Sequence, residues 1–221
     1  MKNVLMPTSE ISNKFSFIAQ LAQVIIVKCR VNKRIVVAIA GAPGSGKSTL
    51  AEQLSSTIQA QTTRFTSQIV AMDGFHLDNK LLQDRGLLEV KGAPNTFDID
   101  QFKTLLQSIK EHRKPLLAPI FDRENERVIA NVIPIDLATQ IVIVEGNYLL
   151  LKSGAWADLK PLFDLTVFIH VPPRILEERL IKRWLAHGFS QQQARLKVAN
   201  NDLINVKRVI QESRQADIDF Y

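Results

Sequence analysis

Four short apolar runs punctuate the chain: RIVVAIA at 34–40, QIVAM at 68–72, QIVIV at 140–144 and TVFIH at 166–170. They are nearly continuous in Val, Ile and Ala rather than alternating with polar residues. That is the pattern of strands buried on both faces. Between and after them the apolar period changes to that of a helix, predicting helices over Leu50–Ile58, Ile99–Ile109, Arg174–His187 and Gln191–Ser213. Asp98 and Ser190 stand where the second and fourth of these need an N-cap. Upstream, Ile11, Phe15, Ile18, Ala22 and Ile25 recur at helical spacing and predict an amphipathic helix packed on the domain. The final ADIDFY is short enough for an edge strand. Strands alternating with helices predict an α/β fold, a mostly parallel sheet with helices on both faces. With 221 residues it is expected to be one domain, with residues 1–33 as lead-in.

Ligands of such sheets bind at the carboxyl ends of the strands, so the residues that follow each run carry the chemistry. The first run enters GAPGSGKST, Gly41 to Thr49. Gly41, four residues, then Gly46-Lys47-Ser48 is the G-x-x-x-x-G-K-[ST] pattern, between a predicted strand and a predicted helix as its mechanism requires. Gly41, Ala42, Pro43, Gly44, Ser45, Gly46, Lys47, Ser48 and Thr49 are therefore the candidate nucleotide-phosphate cradle. Amides at the helix start point at an anion, Lys47 adds a cation near the transferred phosphate, and Ser48 offers a hydroxyl to Mg²⁺. The fold expectation sharpens to a P-loop NTPase three-layer sandwich.

MDGFH, Met72 to His76, follows the second run. Asp73 is a candidate for the group that orients an acceptor hydroxyl and takes its proton, or else a turn aspartate, with Gly74 permitting a sharp turn. His76 is a candidate substrate contact or a turn histidine; no metal-ligand spacing surrounds it. The third run ends in Glu145, a candidate Mg²⁺ ligand, followed by Gly146, expected to keep the backbone clear of nucleotide. RILEERLIKRW, 174–184, is either a solvated helix with pairs such as Glu178–Lys182 or a lid over about 174–190, bringing Arg179 and Arg183 to the transition state. Gly188 is positioned to end that helix. VKGAPNTFD (90–98) and PIFDRENER (119–127) are loop-like; in them Lys91, Asp98, Asp122 and Arg127 either meet a substrate or cap and solvate.

Bulk properties change this picture little. The formal net charge of +6 favours anionic ligands. No dense Arg/Lys block with interleaved aromatics points to nucleic acid. Cys29 is the one cysteine, which excludes an intrachain disulfide and fits a reducing compartment. The N-terminus lacks a signal-peptide pattern, and its apolar stretch is too short to span a bilayer, so a cytoplasmic protein with no membrane partner is expected.

The ordered series GAPGSGKST, MDGFH, KGAPNTFD, FDR, VEGNYLLL, RLIKRW-x-x-HG and ND-x-x-N (Asn201–Asn205) resembles the uridine kinase, phosphoribulokinase and type I pantothenate kinase superfamily over residues 34–221. It is most similar to a bacterial branch of nucleoside/nucleotide kinase-like proteins that includes fructose transport system kinase-like members. The resemblance implies ATP with Mg²⁺ as donor complex and a hydroxyl of a small metabolite, such as a sugar, nucleoside or pantothenate-like acid, as acceptor. It implies that Asp73 orients the acceptor, Lys47 with Arg179 and Arg183 stabilises the phosphoryl group, and Ser48 and Glu145 serve the metal. His76, Lys91, Asp122, Arg127 and Tyr148 are expected on the substrate side, and a homodimer is among the expected assemblies. Ala93 stands where pantothenate kinases have an aromatic and Phe97 where they have a tyrosine; DGFH also departs from the uridine kinase pattern. The alternative reading is a P-loop ATPase or nucleotide switch acting on a protein partner. Against a GTPase, the NKLL at Asn79 lacks the aspartate of the guanine-reading motif.

Overall fold

A computed structural model describes residues 8–29 and 34–221. Its centre is a five-stranded sheet of β1 (Ile35–Gly41), β2 (Thr66–Ala71), β5 (Thr139–Gly146), β6 (Leu165–Ile169) and β7 (Ile218–Phe220). Their order is β2-β5-β1-β6-β7, and every pairing is parallel. The four apolar runs are β1, β2, β5 and β6, and the C-terminal ADIDFY supplies β7, which forms one edge of the sheet as β2 forms the other.

The period of two along β1 divides the core. Val36, Ala38 and Ala40 face one layer, with Val142 and Val144 of β5 beside them. Ile35, Val37 and Ile39 face the other, with Ile141 and Ile143. The second layer is closed by α1 (Thr8–Lys28) and α2 (Lys47–Gln61), which contribute Ile18, Ala22, Ile25, Leu50, Leu54 and Ile58. The side chains of Ile11 and Phe15 lie outside the described residues. The first layer is closed by α4 (Ile99–Glu111), by α5 (Pro173–Ala186) and by α7 (Leu203–Glu212), through Phe102, Leu106, Leu176, Leu180, Val206 and Val209. Fully burying such side chains contributes about 1.5–3 kcal/mol each, which is why a sheet with two apolar faces takes helices on both. Asp98 caps α4 by accepting from the Gln101 amide, and Ser190 opens α6 (Gln191–Lys197) through a capping box with Gln193. Gly188, at φ 85°, follows the end of α5.

Four expectations need correction. PIFDRENER is not a loop: it is the tip of an antiparallel hairpin, β3 (Leu116–Asp122) with β4 (Arg127–Ile135). Pro119 and Pro134 mask its strand character, and the register shifts between Ala118 and Ile120, where Pro119 has no amide to give the ladder. The predicted helix Gln191–Ser213 is interrupted by a π-helical stretch, Val198–Asp202, between α6 and α7. A short helix, α3 (Asn79–Asp84), lies where none was predicted. On α5, Glu178 pairs backwards with Arg174, at 3.3 Å, rather than with Lys182. Among the described residues no helix is long and apolar enough to cross a membrane.

Candidate active site

The loop after β1 has the backbone its glycines allow. Gly44 and Gly46 sit at φ 79° and 92°, a region that side chains with a Cβ rarely enter. Gly46 opens α2 with no side-chain cap, so the first-turn amides face the loop interior. Lys47 is buried, and its Nζ donates to the Ala42 carbonyl at 3.0 Å. Burial pulls its pKa down, against the carboxylates of Glu145 and Asp73, which pull it back up. Ser48 Oγ donates to Glu145 Oε1 at 3.0 Å across the gap between α2 and β5. Burial pushes the Glu145 carboxyl above its usual range, while Lys47 opposes that shift. A hydroxyl and a carboxylate side by side form a hard oxygen set, the donor chemistry that suits Mg²⁺ completed by phosphates and water.

Beside the phosphate loop, the turn that ends β2 meets the tip of the β3–β4 hairpin. Asp73 lies in the tight turn Met72–Phe75 that ends β2, and its Oδ2 pairs with Arg123 Nη2 at 2.5 Å. Arg123 comes from the hairpin tip, beside Asp122, and was not among the residues singled out in the sequence. Gly74 is needed here for space rather than for a turn: a Cβ would lie 2.5 Å from the Pro119 carbonyl, so its absence lets the hairpin close on the Asp73 turn. Gly146 likewise makes room for Met72, whose Cβ would stand 2.5 Å from a side chain there. His76 Nδ1 lies 2.8 Å from the Asp73 carbonyl oxygen, which can only accept, so Nδ1 carries the proton. Its ring packs between Phe97 and Phe121, with ring centres 4.1 and 4.6 Å away. Burial lowers its pKa, which favours the neutral ring with Nε2 as an acceptor.

A cavity of about 600 Å³ lies between these groups. Pro43, Asp73, His76, Lys91, Arg123 and Arg183 are on its wall. Lys91 Nζ donates to Asn79 Oδ1 at 2.7 Å and pairs with Glu126 at 3.4 Å. Three expected substrate contacts are elsewhere. Asp122 uses its carboxylate inside the hairpin turn, accepting from the Glu124 and Asn125 amides and from Asn125 Nδ2, which holds its carboxyl below the usual range. Arg127 reaches that same carboxylate at 3.7 Å. Tyr148 is fully buried and donates to the Gly92 carbonyl at 2.5 Å, with its phenol pushed well above the ordinary value by burial. It supports the Lys91–Gly92 segment from behind. Asp98 caps α4 and lines a wider surface groove of about 840 Å³, beyond Phe97, that none of the phosphate-loop side chains enters.

The two arginines of α5 separate. Arg179 Nη1 donates to the Gly44 carbonyl at 3.1 Å and so lies against the phosphate loop. Arg183 Nη2 pairs with Asp202 Oδ1 at 3.1 Å, and Trp184 Nε1 donates to the other oxygen at 2.5 Å. Arg183 thus stands over the cavity, tied to the π-helical stretch.

Comparison with known proteins identifies the family. A family model described as an AAA domain matches residues 37–186. A Schizosaccharomyces pombe protein provisionally described as a uridine kinase is 34% identical over 196 residues, which cover 84% of this chain and 82% of that one. The crystal structure of a Silicibacter protein provisionally described as a fructose transport system kinase superposes with a TM-score of 0.87 at 39% identity, covering 92% of this chain and 98% of that one. The chain belongs to the P-loop superfamily of the uridine, pantothenate and phosphoribulokinases. An uncharacterised Escherichia coli protein, YggC, is 37% identical over 186 residues, 84% of this chain and 77% of that one. Members of this superfamily therefore include sequences with and without a kinase name at similar distances from this P-loop protein.

Proposed function

We propose that the protein is an ATP-dependent kinase that transfers the γ-phosphoryl group to a hydroxyl of a small metabolite. One observation carries the reading: Asp73, at the end of β2, shares a cavity with the mouth of the phosphate loop, at Pro43. A carboxylate there suits a hydroxyl nucleophile better than a protein partner. Gly41–Thr49 bind the triphosphate, with Lys47 as the cation nearest the transferred group. Mg²⁺, held by Ser48 and Glu145 together with phosphate oxygens, would neutralise charge on the phosphates. Asp73 orients the acceptor hydroxyl and accepts its proton. The acceptor oxygen forms the new bond to the γ-phosphorus as the bond to the bridging oxygen breaks, and ADP leaves with that electron pair. Arg179, already on the Gly44 carbonyl, meets the phosphates, and Arg183 spans phosphate and acceptor. Residues about 174–190 then act as a lid within a single domain that shuts water out of the transfer.

The test is a panel of hydroxylated metabolites assayed for ATP–Mg²⁺-dependent phosphorylation, with product identified by mass. Phosphorylation of a panel member supports the kinase. ATP hydrolysis at the same rate with and without the panel, with no phosphorylated product, rejects it in favour of a switch.

A further inference from the structure

The helical stretch beyond the lid presents amides to the cavity in a fixed order. Asn201 and Asn205 both lie on the cavity wall, and both are more than nine-tenths buried. Asn201 Nδ2 donates to the Lys91 carbonyl at 2.9 Å. A carbonyl can only accept, so this bond fixes which way the Asn201 amide points. Asn201 Oδ1 must then be the acceptor of the next bond, from Asn205 Nδ2 at 3.1 Å. The relay leaves Asn205 Oδ1 buried with no partner among the described residues. Such an orphan acceptor costs stability unless something donates to it. Asn201 belongs to the π-helical stretch Val198–Asp202, and such stretches recur at functional sites.

The charges on the wall point the same way. The cavity wall carries four cations, Lys91, Arg123, Arg183 and Lys197, against five carboxylates, Asp73, Glu89, Glu124, Glu126 and Asp202. Three of the cations are already paired, Lys91 with Glu126, Arg123 with Asp73 and Arg183 with Asp202. The fourth, Lys197, lies over the Trp184 ring at 5.6 Å. An anionic acceptor would have only Lys197 to meet without breaking one of these pairs, against a wall with carboxylates in excess. A molecule rich in O–H groups meets acceptors instead: Asn205 Oδ1, His76 Nε2 and Asp73.

We propose that Asn205 is a specificity residue for the acceptor, receiving an O–H or N–H from it, and that the acceptor is an uncharged polyhydroxyl compound of the sugar or nucleoside type. This rests on the kinase reading above. The closing experiment uses uridine and D-fructose as uncharged probes, and D-pantothenate and D-glycerate as carboxylate probes, each with ATP–Mg²⁺. Wild-type protein is expected to phosphorylate at least one uncharged probe and neither acid. Asn205→Ala should raise the KM of that probe about tenfold or more, the effect of losing one buried hydrogen bond, with the KM for ATP unchanged within about twofold. Asn205→Leu, which keeps most of the volume, serves if the alanine variant does not fold. A side chain that is merely structural would lower the thermal midpoint and leave KM alone, and that result removes Asn205 from recognition. Transfer to an acid and to neither uncharged probe overturns the acceptor class. Failure of the kinase reading is separate: none of the four probes would be phosphorylated, and ATP–Mg²⁺ would be hydrolysed at the same rate with and without them.

Discussion

Replacing Asp73 by asparagine separates its two jobs, holding Arg123 and receiving a proton. The substitution keeps shape but turns an ion pair into a neutral hydrogen bond. The side chains are 25% exposed for Asp73 and 57% for Arg123, so solvent screens the pair and its loss costs about 0–1 kcal/mol. For a chain of this length that lowers the thermal midpoint by at most about 2–4 °C. The phosphate cradle and the Ser48–Glu145 contact do not touch Asp73, so ATP–Mg²⁺ affinity should stay within about threefold of wild type, under 1 kcal/mol. Transfer to an acceptor should fall by about 10²–10⁴-fold, the usual cost of losing a positioned base. Calorimetry measures the first quantity and single-turnover transfer the second. Transfer at the wild-type rate would refute the role of Asp73. Lost ATP binding would instead assign it to the metal and leave the base to be found.

Other substitutions probe the rest of the site. Lys47→Ala should abolish most transfer while leaving the nucleotide-free thermal midpoint no lower, because the buried ammonium bonds only a backbone carbonyl; near-normal transfer by a folded variant would rule out the phosphate role. Arg179→Ala should lower kcat more than it raises the KM for ATP, whereas Arg183→Ala, which strips Asp202 of its ion partner, should also raise the acceptor KM; unchanged turnover in both would leave α5 a solvated helix. His76 titrates below its ordinary value of about 6.5 because of burial. The unfolded chain therefore takes up its proton first, and stability is complete above the ordinary value and lost as pH falls through it. Denaturant titrations between pH 7.5 and 5 should show wild type losing stability relative to His76→Gln, and parallel curves would contradict the burial argument.

The parts of the site that were legible in the sequence are those next to an apolar run. Lys47, Asp73 and Glu145 each stand within a few residues of a strand end, so strand period and sheet class together place them on one edge. The residues that shape the acceptor cavity obey no such local rule. Arg123 reaches Asp73 only because the hairpin folds over the Met72–Phe75 turn, and the hairpin was hidden by its two prolines and its charged tip. Asp122 and Arg127 have the same residue types as true ligands, but a turn consumes them. Tyr148 follows the metal-side glutamate closely, yet its position in the strand-end turn sends it into the core. The π-helical stretch left no periodic trace, since one widened turn within the helical pattern of Gln191–Ser213 is below what spacing can show.

That difference has a physical consequence for how the two halves of the reaction are held. In the proposed reaction, phosphate chemistry would depend on elements adjacent in the sheet, β1, β5 and β2, whose relative positions are fixed by ladder hydrogen bonds and a core buried on both faces. Acceptor recognition would depend on contacts between distant segments: Asn201 reaches Lys91 across 110 residues, and Arg123 reaches Asp73 across 50. These contacts are few and partly exposed, so they can be exchanged without disturbing the core. Asp73 is the point where the two halves meet. It stands on the rigid sheet edge, acts electrostatically on Lys47 and Glu145, and is gripped by the hairpin. An acceptor hydroxyl that takes the place of Arg123 at this carboxylate would free a guanidinium beside the phosphate loop at the moment when charge moves toward it. The same contact that holds the site together without substrate would thus place a further cation where transfer can use it.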